Sequence, residues 1–127
     1  MRVNLYLIPL LLLISLFIIE SCDKKTEQLI PLTKESYNPE TMCDCNDNGI
    51  ELLNQILTKR EQFEKIEELL SEPDSKAHLE LLQKNWKIMQ YKCLETFGAV
   101  LMRPAECNDP DQIQALKDKL FKLGVRT

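Results

Sequence analysis

The sequence predicts an all-α domain: a long antiparallel helical hairpin with a shorter third helix packed across it, cross-braced by disulfides. Three observations carry this. From Ile50 onward the apolar residues recur in steps of three and four, the spacing of a helix with one buried face. Proline and glycine punctuate that pattern at Pro73, at Gly98 and Arg103-Pro104, and at Gly124. No stretch alternates with a period of two, so nothing reads as a strand.

The first helix is expected to start at Asn48, with Glu51 three residues on as a capping box. Its stripe is Ile50, Leu53, Ile56, Leu57, Phe63, Ile66 and Leu70, with one gap around Arg60. Pro73 ends it and suits the first turn of the next helix. The second stripe is cleaner: Leu79, Leu82, Trp86, Met89, Cys93, Phe97 and Val100. The third helix opens at Asp109-Pro110, with Asp109 as cap and Gln112 completing the box. It then buries Ile113, Leu116, Leu120 and Leu123 before Gly124 closes it.

Ahead of the helices stand two segments of different character. Met1 and Arg2 precede an apolar run from Leu5 to Ile19, interrupted only by Pro9 and Ser15. A membrane span needs roughly 20 apolar residues, so this run fits a secretory signal peptide, residues 1–21, with Ser21 as the small residue before the cut. The box Ile19, Glu20, Ser21, Cys22 resembles the lipobox of bacterial lipoprotein precursors; Glu20 departs from it, standing where a small or apolar residue is usual. The resemblance covers only these first 22 residues. It implies that Cys22 becomes the lipidated first residue, a membrane contact through the anchor, and a place in the bacterial cell envelope. Asp23 beside it resembles a sorting signal of some bacterial lipoproteins, and the outer membrane is favoured over the inner. Each buried methylene contributes about 0.8 kcal/mol, so two or three acyl chains anchor firmly. Residues 22–42 then read as a lipidated tether of mixed charge without period, in which "LIPL" (29–32) is apolar enough to dock on the domain or a partner. The folded domain is expected over 43–127.

Removing residues 1–21 takes away Arg2 and Glu20, leaving 15 basic against 19 acidic residues. That balance excludes the basic stripe nucleic acid requires and offers no polybasic patch to anionic lipid.

Four cysteines follow Cys22, an even number that points to two disulfides in an exported chain. Folding the hairpin near Glu72 and Pro73 brings Gly49 level with about residue 96, at about 1.5 Å per residue. Cys45 with Cys93 and Cys43 with Cys107 is therefore the first-ranked pairing and the crossed arrangement the second. A strained Cys43 to Cys45 ring ranks last. Read as thiols, the four would make a metal carrier, with Met42 and Met102 as soft ligands, but the paired C-x-x-C of zinc sites is absent. Read as a redox pair, Cys43 and Cys45 precede a helix N-terminus, while Asp44 and Asp47 oppose thiolate formation.

No catalytic residue, cofactor or metal ligand is assigned. His78 is the sole histidine, has no nucleophile and acid beside it, and reads as a surface residue. The carboxylates of 61–68 and 72–74 lie among lysines on a polar face, and three glycines supply no phosphate loop. The expected function is a lipid-anchored, non-enzymatic interaction module binding another envelope or extracellular protein. The alternative is a cysteine-based metal carrier or thiol-disulfide protein. Tyr91 and Phe121, which fall off the buried stripes, are the expected partner contacts where the second and third helices meet.

Overall fold

The computed structural model describes residues 29–127, so Cys22 and the signal segment lie outside the described residues. The chain is all-α, and among the described residues no strand forms. Helices α1 (Met42–Glu61), α2 (Ile66–Ser71) and α3 (Pro73–Phe97) are followed by a 3-10 helix (Gly98–Met102) and α4 (Pro110–Lys122). The antiparallel pair α1 and α3 is the frame, and α4 lies alongside α1 rather than across the hairpin, its head tied to Asn46 and its tail to Arg60 and Glu61. Trp86, Leu53, Ile56, Leu69, Leu82 and Leu120 form the fully buried centre.

Both disulfides follow the first-ranked pairing. Cys43 joins Cys107 and Cys45 joins Cys93, with Cα atoms 5.1 and 5.9 Å apart.

The first helix differs from its expectation at both ends. It starts at Met42 rather than Asn48, so Cys43 and Cys45 lie inside its first turn and not before it. The cap is Thr41, whose hydroxyl accepts from Asp44 N at 3.1 Å, while the Asp44 carboxylate accepts from Thr41 N at 2.7 Å and Glu40 N at 3.1 Å. Those donors hold the Asp44 carboxyl below the usual carboxylate range. At the other end the gap around Arg60 proves to be a break. Arg60 is buried, and its guanidinium donates to Phe63 O at 2.7 Å, Glu64 O at 3.4 Å and Leu123 O at 2.9 Å. The chain turns on these carbonyls and restarts as α2 in a shifted register, which buries Leu69 and leaves Leu70 46% exposed.

The segment expected to be a tether up to Met42 lies against the helices from Leu29 onward. Leu29, Leu32 and Tyr37 pack on the core. Asn85, on α3 and 2% exposed, accepts from Leu32 N at 2.8 Å and donates to Ile30 O at 3.0 Å. A buried amide thus fixes both polar groups of an extended strap, which an unpaired burial would penalise. Farther on, the Tyr37 hydroxyl lies 3.8 Å from Cys93 Sγ and accepts from Asn48 at 3.2 Å. Burial raises the Tyr37 phenol, against the lowering effect of that bond.

The last helix starts and closes where expected, but Gln112 does not complete a capping box, because Asp109 N donates to Asn46 Oδ1 instead. Asp109 Oδ1 accepts from Gln112 N at 2.9 Å. At the far end Val125 N reaches Leu120 O at 2.9 Å and Gly124 N reaches Phe121 O at 3.0 Å, with Gly124 at φ +83°. That is a Schellman closure, and Val125 lies buried beside Leu120 as the motif's apolar contact requires.

Candidate functional site

A cleft of about 130 Å³ opens at the disulfide-braced end, between α1, α3, the 3-10 helix and the start of α4. Its inner wall is Cys45, Trp86, Met89 and Cys93, all buried, with Ile113 facing them from α4. Around the mouth stand Leu94 and Met102, 40% and 64% exposed, with Gln90, Gln114 and Lys117 as polar rim.

The outer wall is a loop that has no regular structure and is held by side chains. Asn108, 3% exposed, donates from Nδ2 to Leu101 O at 3.0 Å and to Arg103 O at 2.8 Å, while its backbone pairs both ways with Ala105. Asn46, on α1, accepts from Asp109 N at 2.8 Å and so ties the head of α4 to the first helix. Cys107 adds the covalent link to Cys43. These attachments fix the shape of the loop and secure it and the head of α4 to α1, beside the cleft.

Two features of the lining stand out chemically. Trp86 is 2% exposed, yet its indole Nε1 has no hydrogen-bond partner among the described residues. A buried donor left unmade costs about 1–3 kcal/mol. Lys117 is the only charged residue lining the cleft, and no carboxylate lies within 4.0 Å of its ammonium among the described residues.

The structure separates the two aromatic residues singled out in the sequence. Tyr91 is 49% exposed and faces the strap, where Lys34 Nζ sits 4.1 Å from its ring centroid, within cation–π range. Phe121 is 67% exposed and lines a different groove, with Gln114, Lys117 and Arg126. Because Gln114 and Lys117 line both depressions, it is Phe121, and not Tyr91, that continues the cleft along α4.

All four described cysteines are oxidised, so none offers a thiolate to a metal or a substrate. No cluster of three or more His, Cys, Asp or Glu side chains is placed to hold a metal ion among the described residues. No helix among them is long and apolar enough to cross a membrane. His78 is exposed and lies at the opposite end of the hairpin, in a groove with Leu29, Lys59 and Gln62. Burial and then the Lys59 charge lower its pKa. No protein-family model, curated protein or solved structure matches this chain.

Sequence reasoning missed Asn46, Asn85, Asn108 and Arg60, the buried polar residues that shape the cleft, the strap and the helix break. A signal existed for two of them. Asn46 stands three residues before Gly49, which precedes Leu53 by four, and Asn85 stands four before Met89. Polar residues at stripe positions mark side chains that satisfy backbone inside the fold.

Proposed function

We propose that this chain is a lipid-anchored, non-enzymatic interaction module of the bacterial cell envelope, held at Cys22 and engaging another envelope or extracellular protein through its disulfide-braced end. The observation that carries this reading is the pair of disulfides linking α1 to α3 and to the loop before α4. Such bridges persist in oxidising compartments, which agrees with an export leader ending at a lipobox.

The strap gives the anchor a direction. With Cys22 acylated, six residues lie between it and Leu29, seven steps of chain that span at most about 25 Å when extended. Leu29 lies beside Lys59, Gln62 and His78, so the hairpin-turn end faces the membrane. The cleft, at the level of Gln90 on α3, then stands about 18 Å farther out, at about 1.5 Å per residue along the helix. The exposed Leu94 and Met102 are presented away from the bilayer, where a partner protein meets them, while Phe121 lies toward the hairpin-turn end, where Lys119 pairs with Glu61 and Arg60 holds Leu123 O.

The test is intact mass of protein extracted from membranes, with a Cys22→Ala variant and cross-linking in whole envelopes. The expected outcome is an acylated N-terminus at Cys22, loss of membrane retention in the variant, and a cross-linked partner lost on Met102→Ala with helical circular dichroism unchanged. An unmodified chain starting elsewhere, or turnover of a small substrate by the purified protein, refutes the reading.

A further inference from the structure

We propose that the cleft binds an apolar carboxylate: an aliphatic or aromatic group of about six carbons seated against Trp86, Met89 and Ile113, with its carboxylate at Lys117. The inference deepens the binding-module reading by naming the ligand chemistry, and it needs nothing of the anchor at Cys22.

The volume sets the size. About 130 Å³ is close to the roughly 150 Å³ cavity that accommodates benzene. The lining sets the character: the wall from Met89 to Cys93 is apolar, and Met102 at the mouth is a long unbranched side chain able to fold over differently shaped groups. One cation sets the polar end. Among the described residues Lys117 is the only charged side chain lining the cleft, and no carboxylate lies within 4.0 Å of its ammonium. A neutral apolar guest leaves it unused and an amine is repelled by it, so a group bearing an anionic oxygen is the complementary one. Gln90 and Gln114 supply further amides at the rim.

One ligand chemistry has two sources here, a free short-chain acid or the C-terminus of a partner protein ending in an apolar residue such as leucine. In both, one carboxylate sits within reach of an apolar group of the size the cleft admits.

Trp86 is the chain's single tryptophan, so the indole N–H gives one unambiguous NMR signal from the heart of the site. The full chain, 15N-labelled at tryptophan in a nonionic detergent, is titrated with hexanoate, hexanamide and hexylamine. Hexanoate is expected to shift the indole signal as its chain seats against the ring, hexanamide to bind more weakly, and hexylamine not to bind. Lys117→Gln, at the rim and outside the core, is expected to weaken hexanoate about fivefold while leaving hexanamide unchanged. Ile113→Phe, which fills the cleft, abolishes both responses provided its disulfides and helical signal persist. Peptides ending in leucine, as free acid and as amide, identify the source. A free-acid peptide that outbinds hexanoate assigns a partner's chain end, and the reverse order assigns a small acid. An indole signal unmoved by hexanoate up to its solubility limit overturns the proposal. So does equal binding of hexylamine, or an unaltered hexanoate affinity in Lys117→Gln.

Discussion

The two disulfides close loops of 64 and 48 residues, and taken singly their chain-entropy contributions differ by only about 0.3 kcal/mol. They are nested, however, and this changes the comparison. With either bridge present, the shortest path that the other closes runs from 43 to 45 and from 93 to 107, which is the 16-residue difference between the two separations. Adding the second bridge therefore contributes about 3 kcal/mol whichever one it is. What distinguishes them is packing. Cys45 and Cys93 are 4% and 3% exposed and belong to the core, whereas Cys43 and Cys107 are half-buried. Trimming two buried sulfurs costs about 2 kcal/mol more in lost burial and residual cavity. A Cys45→Ala, Cys93→Ala variant should thus lose about 5 kcal/mol and a Cys43→Ala, Cys107→Ala variant about 3, out of the roughly 5–15 typical of a domain. Guanidinium unfolding followed by circular dichroism measures both, with mass spectrometry confirming the surviving bridge. Equal losses, or a larger loss for the half-buried pair, would refute the reasoning.

Arg60→Met should cost about 3 kcal/mol in the same assay, because three backbone carbonyls lose a charged donor, and Arg60→Lys should not rescue it, since one ammonium cannot span them. Asn85→Leu should cost about 1–2 kcal/mol and deprotect the Leu32 amide in hydrogen exchange, with new proteolytic cuts between 29 and 41 and none in α3. Gly49 sits inside α1 with room for a methyl group, which would meet Ile113, Met89 and Trp86 at 3.4 Å, so Gly49→Ala should stabilise by about 0.5–1 kcal/mol and raise the melting temperature, whereas Gly49→Val should overpack and lower it. The Asp44 cap predicts a pH dependence: its folded pKa is depressed, so its contribution is complete above the ordinary aspartate value of about 3.9 and is lost as pH falls through the lower folded value. Melting temperatures of wild type and Asp44→Asn should converge as pH drops through that window, and a constant gap would count against the cap.

What was legible in the sequence was periodic or punctuated. The stripe from Leu79 to Cys93 is buried as expected because a 3.6-residue repeat leaves a face that must be covered, and Asp109-Pro110 and Gly124 bound α4 because cap chemistry is local. The start of α1 was not legible. Cys43 to Gly49 are poor helix formers, and what overrides their propensity is a Thr41–Asp44 cap together with two covalent links to distant residues. The break after Glu61 escaped for a related reason. Phe63 and Ile66 continue the apolar spacing, and only a guanidinium capturing carbonyls at 63 and 64 interrupts the helix. The docked strap depends on Asn85, whose role is invisible without the backbone it binds.

The cleft shows why its chemistry lay deeper than the fold. Its inner wall comes from stripe residues, Trp86, Met89 and Cys93, whose burial periodicity anticipates. Its outer side depends on something else: a loop whose shape Asn108 fixes and which Asn46 and the Cys43–Cys107 bridge tie to α1. If the loop packed inward, the same apolar residues would simply be core, and Leu94 and Met102 would be covered. A loop braced in this way beside an apolar wall, with a lysine at the rim, makes a preorganised concavity, which lowers the ordering cost of whatever enters it. Cutting one attachment while keeping the others therefore ought to lower affinity at the cleft through a looser wall, well before it unfolds the helices that carry Trp86 and Lys117.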